Sequence, residues 1–293
     1  MIIDAHVHIC PRMGGEDDRL PYQSASYGRA RGRDGLVQVL PPCFERTDSS
    51  PELALAFMDW AGVERAFLVQ GPMYGFHNRF VAGAVSRWPE RFLGFAIVEP
   101  HRGAPAVAEL EDAWERGLRG CKVEWPATRA LAPETELTGG VEWRLWQKCA
   151  QLGMLLSIHP ERGPQPVEGL RRIAEELGVK LLLEHLGGAP HEGWQEQVRL
   201  AHLPNVYVGV SAVFCGTDEE YPAPQAQECL RWAAEEVGAQ KLVWGSDYPS
   251  ILTRVTYVQS LDLVRRHCDF LSSDDRDWVL GRAAAKLSEG LWS

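Results

Sequence analysis

Short apolar, β-branched runs alternate along the chain with longer stretches whose apolar positions recur every three or four residues. The runs cover residues 2–7, 65–69, 92–98, 120–124, 154–159, 180–185, 206–213 and 241–247, each of the length of a buried strand. Between them, residues 106–117 place Val107, Leu110, Ala113 and Trp114 at helical spacing and end in Gly117. Residues 141–152, 167–177 and 225–237 are followed by Gly153, Gly178 and Gly238, and a further helix begins near Pro51. Glycine just past a helix is a usual stop signal. Strand, helix, glycine, strand is the pattern of βαβ units and a parallel sheet. Eight repeats of it predict an α/β fold, a closed (β/α)8 TIM barrel. A doubly wound open sheet fits less well, because no Gly-x-Gly-x-x-Gly turn follows the first run.

Two segments exceed the ideal barrel. Residues 10–50 separate the first strand from the first helix, far beyond the usual ~2–6 residues of a βα loop. This long first loop is expected to lie over the C-terminal face. Residues 274–290 are expected to add an extra C-terminal helix or two. No linker divides the chain, so residues 1–293 read as a single domain.

Composition narrows the class of function. A hydrophobic share of 45% against 24% charged residues excludes wholesale disorder. No run approaches the ~20 apolar residues of a membrane helix, and the first ten residues lack the basic start of a signal peptide. Forty acidic against thirty basic residues give a net charge of −10, which argues against a nucleic-acid partner. Seven cysteines without Cys-x-x-Cys spacing read as core thiols of a reduced, cytoplasmic protein.

The chemistry concentrates at the C-terminal ends of the predicted strands. In Asp4-Ala-His6-Val-His8, alternate residues share a face, so both imidazoles can enter the barrel mouth. His159 closes the fifth strand, His185 the sixth and Asp247 the eighth. One such residue is ordinary core; four strand ends together point to a divalent metal.

In these motifs the sequence resembles the amidohydrolase superfamily, in particular the amidohydrolase-related group containing aminocarboxymuconate-semialdehyde decarboxylase, resorcylate decarboxylases and several lactonases. The matching motifs are His-x-His at strand one, His-Pro at strand five, His-x-Gly-Gly at strand six and Gly-Ser-Asp-Tyr-Pro at strand eight. The resemblance implies a metal held by His6, His8, His159 and Asp247, with His185 beside it as a polar catalytic group. One divalent ion is expected, zinc or alternatively manganese, and the resemblance favours a homodimer. Such an ion lowers the pKa of bound water toward ~7. Asp247 could carry that proton, and His185 could bond the oxygen on which charge develops.

Other residues keep two readings. Asp4 either orients a histidine or bonds backbone at the strand start. Lys122 and Glu124 share a parity, so both can face inward, to contact substrate, to pair with each other, or to bridge a second metal as in binuclear relatives. Trp125, Phe214 and Tyr248 could wall a ring-shaped substrate. Arg29, Arg31 and Arg33, with Arg12, Arg19, Tyr22 and Tyr27, stand on the long loop as candidate carboxylate binders. His77, His101, His191, His202 and His267 fall outside the constellation. The expected activity is a metal-dependent hydrolase using activated water on a small carboxylated cyclic, lactone or amide substrate. The alternative is a metal-dependent non-oxidative decarboxylase (a lyase) of an aromatic or muconate-type acid.

Overall fold

The computed structural model describes residues 1–14, 22–32, 34–214, 216–217 and 219–292. Eight strands form one sheet in sequence order, each pairing parallel with the next: β1 (Ile3–Val7), β2 (Arg65–Leu68), β3 (Phe92–Ile97), β4 (Gly120–Glu124), β5 (Leu155–His159), β6 (Leu181–Leu183), β7 (Val206–Val210) and β8 (Leu242–Trp244). The barrel closes just past the end of β8. There the Asp247 N–H donates to the His6 carbonyl at 2.9 Å and the His8 N–H to the Tyr248 carbonyl at 2.7 Å.

Helices α1 (Pro51–Ala61), α2 (Asn78–Arg87), α3 (Ala104–Glu115), α4 (Trp125–Leu131), α5 (Gly140–Gln151), α6 (Val167–Leu177), α7 (Trp194–Val198), α8 (Pro224–Val237) and α9 (Tyr257–Asp262) follow the strands. Their ends obey local chemistry. In α1 the Ser50 hydroxyl accepts the Leu53 N–H, Pro51 begins the helix, and Gly62 ends it at φ 73°. The inside of the barrel is packed by Ile3, Ala5, Phe67, Leu93, Phe95, Leu155, Leu182, Tyr207 and Val243. Ala283, Ala284 and Leu287 of the C-terminal helix join the same cluster.

The structure departs from the sequence reading in two places. Strands β6 and β8 stop at Leu183 and Trp244, so His185 and Asp247 sit on the turns that follow. The first loop carries a small antiparallel sheet of Gln23–Ser24, Arg29–Gly32 and Gly35–Gln38. The expected C-terminal helix is present, with Ser273–Asp277 running on into Ala283–Leu287 through a π-helical turn, Trp278–Arg282.

β1 is not a regular strand. Asp4 pairs with Ala66 and Val7 with Leu68, so three steps on β1 oppose two on β2. This extra residue is a β-bulge, which re-aims the side chains beyond it. Ala5 therefore joins the barrel interior while Asp4 turns to the opposite side, toward Tyr257 of α9. His6 and His8, beyond the bulge, enter the mouth. Asp4 accepts hydrogen bonds from the Ser246 N–H at 2.8 Å, the His6 N–H at 3.1 Å and the Tyr257 hydroxyl at 2.7 Å. Of its two readings, the bond to backbone is the one observed. Burial raises its pKa to about 6 against those hydrogen bonds.

Asp4→Ala leaves three buried donors without a partner, each at a cost of about 1–3 kcal/mol. The expected fall in melting temperature is ~5 °C or more. Tyr257→Phe removes one bond of this set and is expected to cost about 1 kcal/mol. Thermal melts of the two variants check this order.

Candidate active site

The site begins with two imidazoles whose free lone pairs converge. His8 Nδ1 lies 3.1 Å from the Val69 carbonyl, which can only accept, so Nδ1 carries the proton and Nε2 is left as a donor atom. His8 Nε2 is 3.1 Å from His6 Nε2 and 3.2 Å from Asp247 Oδ1; His6 Nε2 is 3.6 Å from the same oxygen. Two nitrogens and a carboxylate oxygen thus surround one point, a donor set suited to a divalent ion. Burial foremost, then the neighbouring His8 and His185, holds the His6 imidazole well below its ordinary pKa. His6 is therefore neutral at pH 7, the form that can ligate.

Backbone shape brings Asp247 to this point. Asp247 adopts φ 64° and His185 φ 53°, a left-handed conformation that costs a non-glycine residue on the order of 1–3 kcal/mol. The Gly245 position lets the turn close on β1, since a Cβ there would meet the His6 Cβ at 2.6 Å. Tyr74 lies stacked on the His8 ring at 4.2 Å and is bonded through its hydroxyl to Ser250.

From His6 a row of rings crosses the mouth. His185 lies 4.8 Å from His6 and His159 lies 4.7 Å from His185, centroid to centroid. His185 Nδ1 contacts the Ser211 hydroxyl at 3.0 Å. Burial chiefly, reinforced by His159, lowers the His185 pKa to about 3. His159 Nδ1–H donates to Glu124 Oε2 at 2.7 Å, which leaves Nε2 as the lone-pair nitrogen. His159 shares a compact donor group with Glu124 and Glu184; the group at His6 and His8 contains Asp247.

Below this row is a buried ion cluster. The Lys122 ammonium is fully enclosed and donates to Glu124 Oε1 at 2.6 Å and to Glu184 Oε2. The Ser157 hydroxyl donates to Glu184 Oε1 at 2.5 Å. Burial presses Lys122 toward neutrality, but the two carboxylates outweigh it and its pKa is raised. Burial acts upward on Glu124, and Lys122 with His159 overrides it, holding the carboxyl well below its usual range.

The other predicted residues are dispersed. Trp125, Phe214 and Tyr248 are almost fully buried in the main core; Tyr248 faces Phe57 and Tyr257. Arg29 is half-buried and donates to the Ser26 carbonyl, and Arg31 is exposed. Arg33 and Arg19 lie outside the described residues. The sequence reading passed over Tyr74, Ser157, Glu184 and Ser211. Glu184 left a trace: a charged residue directly after the apolar Leu181–Leu183, at the inward parity of Leu182.

With this geometry in place, likeness to known proteins becomes informative. A family model described as amidohydrolase matches residues 3–287. The chain belongs to the amidohydrolase family. It is accordingly an enzyme of a metal-dependent family. The 4-sulfomuconolactone hydrolase of Rhizobium radiobacter is 28% identical over 213 residues, covering 69% of this chain and 67% of that protein. A crystal structure described as a probable 2-pyrone-4,6-dicarboxylic acid hydrolase from Acinetobacter baumannii, with citric acid bound, superposes with a TM-score of 0.71 at 16% identity, covering 98% of each chain. The 5-carboxyvanillate decarboxylase of Sphingomonas paucimobilis gives 0.63 at 17% identity, also covering 98% of each. These two likenesses show the barrel. Among the described residues, no helix is long and apolar enough to cross a membrane.

Removing the Lys122 charge strands two carboxylates in the interior. In chelator-treated protein, Lys122→Met is expected to lose about 3–5 kcal/mol, the usual result of breaking a buried pair from one side. Urea unfolding of both proteins reads the difference.

Proposed function

We propose that the protein is a metal-dependent hydrolase that opens a small carboxylated lactone or related cyclic ester. The observation that carries this reading is the convergence of His6 Nε2, His8 Nε2 and Asp247 Oδ1 within 3.6 Å, with His185 against His6. Likeness to a muconolactone hydrolase supports the substrate class. The residues that would hold the ion are His6, His8 and Asp247, with His159 supplying the remaining nitrogen. Nitrogen and oxygen donors without thiolate suit zinc first and manganese second. Such an ion supplies Lewis acidity and lowers the pKa of water toward ~7.

The chain's own groups carry the rest. Asp247 accepts the proton that attacking water gives up and returns it to the leaving oxygen. Water oxygen forms the new bond to the acyl carbon, and the ester C–O bond breaks. His185, neutral at pH 7, donates a hydrogen bond to the carbonyl oxygen as charge builds there. Arg29 and Arg31 project from one strand two residues apart, and we assign them to the substrate's carboxylate. Free thiols at Cys10, Cys43, Cys121, Cys149, Cys229 and Cys268 support a reducing, cytoplasmic setting.

Decarboxylation is the second reading, because the same donors can hold a carboxylated phenol while a carbon is protonated. Turnover in 18O-labelled water separates the two. Hydrolysis is expected to place one labelled oxygen in the organic product; release of CO2 without label overturns the hydrolase reading. His185→Asn is expected to keep its metal and lose ~100-fold or more in rate. A His6→Ala, His8→Ala double variant is expected to lose the metal, as elemental analysis would show.

A further inference from the structure

The ion cluster beneath the histidines has the composition of a metal site with an ammonium in the middle. Glu124, His159 and Glu184 bring their ligand atoms within 4.8 Å of one another. Lys122 Nζ bonds both carboxylates, Glu124 at 2.6 Å and Glu184 as well. It does so from a side chain with no exposure to solvent. We propose that the Lys122 ammonium stands where a second divalent ion would otherwise bind, and that this one side chain holds the barrel to a single metal.

The argument is one of charge and space. Two carboxylates cannot stay ionised side by side in the interior without a cation. Any ion reaching both would have to take the volume Nζ occupies, and would stand against its positive charge. Lys122 is also barred from becoming a bridging carbamate. Its nitrogen is engaged as a donor to two carboxylates, and carboxylation would set a third negative charge between them. Deleting the ammonium alone leaves the Glu124 and Glu184 oxygens that it engaged with no counter-charge, while the His159 Nδ1–H stays on the other Glu124 oxygen. Divalent zinc or manganese then meets the charge requirement that Lys122 met.

This inference assumes the His6–His8–Asp247 site but is read independently of it. Wild type and Lys122→Met are titrated with zinc chloride, and bound metal is counted by elemental analysis after desalting. The wild-type count reports on the first site. The difference between the two proteins reports on Lys122. The expected result is one additional zinc per chain in Lys122→Met, together with recovery by zinc of the melting temperature lost in chelator. The double variant Lys122→Met, Glu184→Gln is expected to lose that extra ion. Equal counts in the folded single variant and the wild type overturn the proposal. Failure of Lys122→Met to fold even with zinc present also overturns it, because the carboxylates then require the lysine itself and not merely a cation. Wild type supplies a check that needs no folding variant. With zinc in large excess it is expected to bind no ion that Glu184→Gln abolishes, and the opposite finding overturns the proposal.

Discussion

The whole site hangs on the seam where the first strand meets the turn after the last. Asp4 holds that seam from outside the barrel through three hydrogen bonds, to Ser246, His6 and Tyr257. On the inner side, the backbone exchange between His6, His8, Asp247 and Tyr248 closes the ring of strands. Of the four residues whose backbone atoms complete the barrel, three, His6, His8 and Asp247, are those that would ligate the metal. Closure and site assembly are one event, because the hydrogen bond that joins Asp247 to His6 belongs to both.

Electrostatics divides the mouth into two layers. The upper layer contains imidazoles, with His6 and His185 kept neutral chiefly by burial. The lower layer contains Glu124 and Glu184 about one ammonium. Counting Asp247, three carboxylates face one lysine, an excess of two negative charges, the amount one divalent ion neutralises. Glu124 links the layers, because one of its oxygens takes Lys122 and the other takes His159. Through that bond the lower layer fixes which nitrogen of His159 is free for ligation.

Periodicity alone carried the barrel, since buried parallel strands are short apolar runs and their helices end at glycines. His6, His8 and Asp247 were legible because each stands at or just past a strand end, where side chains of that chemistry have little structural reason to gather. What escaped was set by tertiary contact. Tyr74 stands on a loop without periodicity, and its place under His8 depends on how that loop folds back. Glu184 was absorbed into the apolar strand before it. Trp125 and Tyr248 lie next to Glu124 and Asp247 in sequence, yet point into the core, because the chain leaves the barrel at those positions. The ends of β6 and β8 were read too long, as the left-handed turns at His185 and Asp247 carry no residue-type signature.

The bulge in β1 gives this architecture an uneven tolerance to change. Substitution at Ala5 alters one small side chain, but loss of a single residue between Asp4 and Val7 would restore regular alternation along the strand. Alternation would still turn imidazoles inward, but the residues beyond the deletion would shift by about one position, ~3.3 Å along the strand, against Asp4 and its hydrogen bonds, while most apolar packing stayed available. A lineage carrying such a deletion would keep a recognisable barrel and surrender its chemistry in one step. Length variation in this family is therefore expected to fall on the rim loops, and to spare the five residues of β1.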